Sequence, residues 1–143
     1  MMCDDVMSFD RMPPAAGVPD ATPILVGIVG AASADTALRA GLDHADACGA
    51  PVCVVCAGPA PAADDALLCD LIERWAEKYP RVRVTTKICR SIDAAVTLTA
   101  ASRSCRAVVL GESSEPAVAA VFAAVARRAR CPVFVDNERL NGH

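Results

Sequence analysis

Five short strand-like runs, at residues 23–30, 51–57, 81–89, 107–110 and 131–135, alternate with four stretches whose apolar residues recur at helical spacing. Strands that alternate with helices through short connections build a parallel sheet with right-handed crossovers. The first run, Pro-Ile-Leu-Val-Gly-Ile-Val-Gly, is continuously apolar, as a central strand covered on both faces must be. The third run alternates instead. Val82, Val84, Thr86 and Ile88 take one face, and Arg81, Arg83, Thr85 and Lys87 take the other. A charged face marks a half-exposed strand at a sheet edge. The expected fold is therefore a single-domain, Rossmann-like α/β open sheet of five parallel strands. The expected strand order is 3-2-1-4-5, with helices on both faces. That order sets the switch point between the carboxyl ends of the first and fourth strands, Ile28-Val29-Gly30 and Leu110-Gly111.

Local signals bound the helices. Ser33 can cap the first, with Asp35 in its first turn, Leu38, Leu42 and Ala45 on one face, and Gly49 at its end. Asp64 and Asp65 open the second. Leu68, Leu71, Ile72, Trp75 and Tyr79 form its stripe, and Pro80 stops it. Ser91 is the expected cap of a third helix that reaches about Ser104. Val118, Val121, Phe122, Val125 and Ala129 stripe a fourth. At 143 residues the chain is expected to form one domain, over residues 22–137. Residues 1–21 are rich in Met, Pro, Ala and Asp without periodicity and read as a disordered lead-in, and residues 138–143 as a polar tail.

Composition excludes several function classes. The net charge of −3 makes no electrostatic case for nucleic acid or an anionic membrane. No apolar run approaches the roughly 20 residues of a membrane span. Asp4, Asp5, Asp10 and paired prolines interrupt the first residues before a secretory apolar segment forms, so a cytoplasmic location is expected. The eight cysteines do not imply a disulfide framework, an inference that belongs to short secreted chains. Cys53-Val54-Val55-Cys56 falls inside a strand, where positions three apart point to opposite faces, so it suits neither a metal site nor a redox pair. The cysteines are expected to act as small buried hydrophobes, with Cys3 the exception. No metal is expected, because His44 sits mid-helix between Asp43 and Asp46 on a solvated face and His143 is the last residue.

The switch point carries mixed chemistry. A phosphate cradle needs inward N–H groups and little side-chain obstruction. Gly30, Ala31, Ala32 and Ser33 can offer such groups. The second loop offers Gly111, Ser113 and Ser114, but Glu112 and Glu115 flank them. Each carboxylate held close to a triphosphate costs about 1 kcal/mol or more in a partly wet site. Pro116 removes one donor and naturally starts a helix, where acids also suit the dipole.

With these pieces in order, the chain resembles the universal stress proteins over residues 23–136. The resemblance rests on Ile24 to Gly30 with Ser33, Ala37 and Leu38 following. It rests also on Gly49-Ala50-Pro51-Val52, on Val108-Val109-Leu110-Gly111 and on the closing Cys131-Pro132-Val133-Phe134-Val135. It implies an adenine nucleotide alpha hydrolase-like sheet and a homodimer paired through the last strand, here Val133, Phe134 and Val135. The family includes members that bind ATP and members that do not. Binding members carry an Asp where this chain has Val29, a glycine kept here as Gly111, and another where Ser114 stands. Their phosphate-binding Gly-Ser or Gly-Thr pair falls on Ala119 and Ala120, after a loop about five residues longer than this one. A backbone contact to adenine remains available at Ala57 and Leu110. The resemblance thus implies a remnant pocket of Val29, Gly30, Ala57, Leu110, Gly111, Ser113, Ser114, Ala119 and Ala120, with no bound cofactor. The function expected is that of a non-catalytic dimeric regulatory or interaction protein unable to bind ATP. The alternatives are a sensor of a small adenosine compound such as AMP, cyclic AMP or ATP, and a thiol-based redox element using Cys3 or another exposed cysteine.

Overall fold

The computed structural model describes residues 22–30, 33–58, 62–90, 93–111 and 115–136. The expectations for residues 1–21 and 138–143, and for Cys3, Ser91, Ser113 and Ser114, lie outside them. The elements in order are β1 (Ile24–Ile28), α1 (Ala34–Cys48), β2 (Val52–Ala57), α2 (Ala62–Glu77), β3 (Val84–Cys89), α3 (Ala94–Ser102), β4 (Ala107–Gly111), α4 (Pro116–Arg128) and β5 (Val133–Asp136). The strands form one parallel sheet in the order β3-β2-β1-β4-β5, as the alternation of the third run requires. In register, Val26 of β1 lies between Val54 of β2 and Val109 of β4. Every residue of β1 and β2 is buried, which is why both read as unbroken apolar runs.

Side chains alternate between two cores. Ile24, Val26, Ile28, Val54 and Cys56 join Leu38, Leu42, Leu68 and Ile72 on the α1/α2 face. Leu25, Cys53, Val55, Val108 and Leu110 join Leu98, Phe122 and Val125 on the α3/α4 face. Cys53 and Cys56 therefore enter different cores, as strand geometry dictates. At Gly41 the first helix touches the sheet, since a Cβ there would stand 2.2 Å from Val26 Cγ2. Gly49 closes α1 in the left-handed conformation at φ 72°, and its N–H donates to the Ala45 carbonyl. Outside that contact, Trp75 Nε1 donates to Asp35 Oδ1 at 2.8 Å, the Tyr79 hydroxyl donates to Asp43, and Lys78 lies 4.6 Å above the Trp75 ring.

Four expectations need correction. Asp93, not Ser91, caps α3: its Oδ1 accepts from the N–H groups of Ala95 and Val96 at 2.8 and 3.2 Å. A carboxylate two or three residues ahead of these donors outcompetes a cap further back. Ser33 stands at the cap of α1 but makes no side-chain cap bond. Lys87 is only 7% exposed. It pairs with Val55, so the face of β3 that carries its charge is covered on the α3/α4 side of the sheet. Finally, among the described residues Cys48 and Cys69 are exposed and only Cys53, Cys56 and Cys89 are fully buried. Cys48 closes the last turn of α1, and Cys69 sits on α2 beside the buried Leu68.

Candidate functional site

The switch point lies at the carboxyl ends of β1 and β4, because these neighbours pair while the crossover leaving β1 runs to β2 and the one leaving β4 runs to β5, in opposite directions. The residues there divide sharply. Ala57 and Leu110 are buried at strand ends. Val29 is half-buried and packs on the α3/α4 core, and the Cβ of an alanine at Gly58 would stand 3.7 Å from its Cγ1. Gly30 has φ 84°, and among the described residues nothing stands within 4 Å of its Cβ position.

Gly111 is enclosed. A Cβ there would lie 2.4 Å from the Ser33 carbonyl oxygen, 2.8 Å from Thr36 Oγ1 and 3.0 Å from Ser33 Cβ. The first turn of α1 thus rests on the end of β4, and Thr36 Oγ1 also donates to the Ser33 carbonyl at 3.1 Å. A glycine is required at this position by packing alone. The Ser33 hydroxyl is buried beside it without a hydrogen-bond partner among the described residues.

The fourth helix begins with Glu115 as N-cap and Pro116 in its first turn. Ala119 lies a full turn inside, exposed, and its N–H donates to the Glu115 carbonyl at 2.9 Å. Neither Ala119 nor Ala120 has a hydroxyl to offer, and the N–H of Ala119 is already used. Helix N-termini hold phosphate through unbonded N–H groups, a property that the Ala119 N–H lacks.

Electrostatics at this end run the same way. Each helix N-terminus carries a carboxylate: Asp35 on α1, Asp64 and Asp65 on α2, Asp93 on α3 and Glu115 on α4. Arg90, just past β3, is a cation at this end, and it is bound on both sides. Its Nη2 and Nε reach Asp65 Oδ1 at 2.7 and 3.2 Å, and its Nη1 donates to the Gly58 carbonyl at 3.0 Å. This clamp joins the ends of β2 and β3 to the start of α2. No spacing in the sequence marks it, because Asp65 and Arg90 look like ordinary first-turn and post-strand charges.

Burial holds back three of the thiols. Burial pushes the thiols of Cys56 and Cys105 up to about 12, far from a reactive thiolate at neutral pH, and raises Cys131 as well. Among the described residues no group of three His, Cys, Asp or Glu side chains is placed to hold a metal ion. His44 is exposed, its ring centroid 5.5 Å from that of Phe134.

A five-stranded parallel sheet in this order, with helices on both faces and its switch point between β1 and β4, defines a single-domain Rossmann-like α/β protein. More narrowly, the fold is that of the universal stress proteins, which supports the resemblance carried by the sequence motifs. A universal stress protein family member from Burkholderia pseudomallei superposes with a TM-score of 0.56 at 25% identity, covering 80% of this chain and 95% of its own. A universal stress protein in complex with cAMP superposes at 0.63 and 17% identity, covering 80% and 96%. One from Archaeoglobus fulgidus in complex with dAMP superposes at 0.59 and 21% identity, covering 81% and 98%. No family model matches the sequence, and no curated protein is significantly similar to it. No helix among the described residues is long and apolar enough to cross a membrane.

Proposed function

We propose that this chain is a universal stress protein-like regulatory or interaction protein of the cytoplasm, without catalytic activity, that works as a homodimer and does not bind ATP. The observation that carries this reading is the start of α4. The position corresponding to the family's phosphate pair lies inside the helix, its Ala119 N–H bonded to Glu115. Val29 in place of the nucleoside-binding Asp agrees with it. Gly111 gives no counterweight, because packing against Ser33 accounts for it. Dimer formation would use β5, the edge strand where Phe134 is 47% exposed between the half-buried Val133 and Val135.

A second reading has one observation in its favour. Among the described residues nothing stands within 4 Å of a Cβ position at Gly30, and the backbone of Ala57 and Leu110 ends at the same side of the sheet, which favours an adenosine group without its phosphates. The structural relatives described in complex with cAMP and dAMP make AMP and cyclic AMP the natural probes. Thermal melts of the full chain with adenosine, AMP, cyclic AMP and ATP separate the readings. No shift with any of them supports the ligand-free module. A shift with adenosine or AMP that ATP fails to produce supports the remnant pocket. A rise in Tm with ATP and Mg²⁺ would sink the main proposal.

A further inference from the structure

Arginines gather at one corner of the opposite, amino end of the sheet. Arg103 and Arg106 lie in the link from α3 to β4, Arg127 and Arg128 end α4, and Arg130 leads into β5; all five are exposed. The backbone brings these segments side by side. The Val108 N–H donates to the Pro132 carbonyl at 2.9 Å, and the Cys131 thiol reaches the Ser102 carbonyl at 3.6 Å. Helix C-termini favour cations, which accounts for a residue or two at each. Five without a counter-charge is a different matter. Arg74, Arg81 and Arg90 each have an aspartate partner, but among the described residues none of these five is in an ion pair. The described acidic residues lie elsewhere, at the helix N-termini, on α1 and α2 across the sheet, and, as Asp136, at the far end of β5.

The chain's own excess of acid enters beside this corner. The Arg106 N–H donates to the Pro23 carbonyl at 2.9 Å, so the segment before β1 joins the fold next to the α3–β4 link. Residues 1–21 contain Asp4, Asp5, Asp10 and Asp20 against Arg11 alone. Without them the chain's 14 basic and 17 acidic residues become 13 of each, so the whole net charge of −3 belongs to that segment.

We propose that the acidic segment 1–21 docks on the corner formed by Arg103, Arg106, Arg127, Arg128 and Arg130, and thereby competes with any other acidic chain for it. Charge complementarity and attachment at Pro23 select this occupant. A tethered segment acts at an effective concentration on the order of mM, so several individually weak surface ion pairs suffice. The contact is electrostatic and yields to salt.

The test uses the full chain with Cys48→Ser, Cys69→Ser, Cys105→Ser and Cys131→Ser, so that a nitroxide can be placed on Cys3. At low salt, paramagnetic broadening is expected to centre on the amides of residues 103–106 and 127–130, and to fade at about 0.5 M salt, where the Debye length is only a few Å. It is expected to vanish when Asp4, Asp5, Asp10 and Asp20 are all replaced by Asn. A fluorescein-labelled oligoglutamate peptide should bind that neutralised variant about ten-fold more tightly than the native chain, the loss of a tethered competitor. Arg127→Gln, Arg128→Gln and Arg130→Gln together should abolish the gain. Broadening spread evenly or centred elsewhere overturns the proposal. So does equal peptide affinity for the native and neutralised chains, or an oligonucleotide that binds both equally well at this corner.

Discussion

The Ser33 carbonyl oxygen lies 2.4 Å from where a Cβ at Gly111 would stand. This close approach of α1 to the end of β4 gives the glycine a structural duty independent of any nucleotide. Gly111→Ala must displace backbone rather than a side-chain tip, and is expected to lower stability by about 1–3 kcal/mol, the usual range for overpacking. Urea unfolding measures this. An alanine variant as stable as the native chain would free Gly111 from its packing role.

Asp93 supplies the side-chain cap of α3 through Ala95 and Val96. Asp93→Ala is expected to cost about 1 kcal/mol, and Asp93→Ser to recover most of it. Equal unfolding midpoints for the native and alanine chains would contradict the assignment.

Thiol reactivity should split by burial. An aromatic disulfide reagent should modify Cys48 and Cys69 rapidly in the native protein, and Cys53, Cys56 and Cys89 only on unfolding. Burial also makes stability fall in alkali. Cys56 and Cys105 are raised from 9.0 to about 12, and Tyr79, chiefly through its hydrogen bond to Asp43, from 10.0 to about 12. Above pH 9 the unfolded chain loses these protons first. The stabilisation is complete below that pH and disappears as pH rises towards 12. For a buried thiol the slope is about 1.4 kcal/mol per pH unit. Urea midpoints that stay constant across this range would refute the account, and Cys56→Ala should lessen the slope.

Phe134 is the large exposed apolar side chain of the edge strand β5. If dimers form there, Phe134→Lys should shift the chain to monomer in light scattering with little change in helix content. A native chain that is already monomeric would remove the interface.

The fold was legible because its signals are local and repeated. The unbroken run of β1, the stripe Leu68–Leu71–Ile72–Trp75–Tyr79 and the glycine after α1 each encode burial or chain reversal within a few residues. What escaped the sequence depends on distant packing. Lys87 alternates as an edge residue should, but the face that carries its charge is covered. Asp93 was hidden behind the equally plausible Ser91. Arg90 and Asp65 meet only because β3 and α2 end together. At the candidate site, Val29, Ala119 and Ala120 were visible as residue types. The enclosure of Gly111 by Ser33 and Thr36, and the use of the Ala119 N–H within α4, became visible only in three dimensions.

Isothermal titration of the full chain with ATP and Mg²⁺ tests the central claim most directly. The account predicts no saturable heat up to about millimolar ATP, where even a weak site of roughly −4 kcal/mol would register. A saturable isotherm with a micromolar dissociation constant would contradict it.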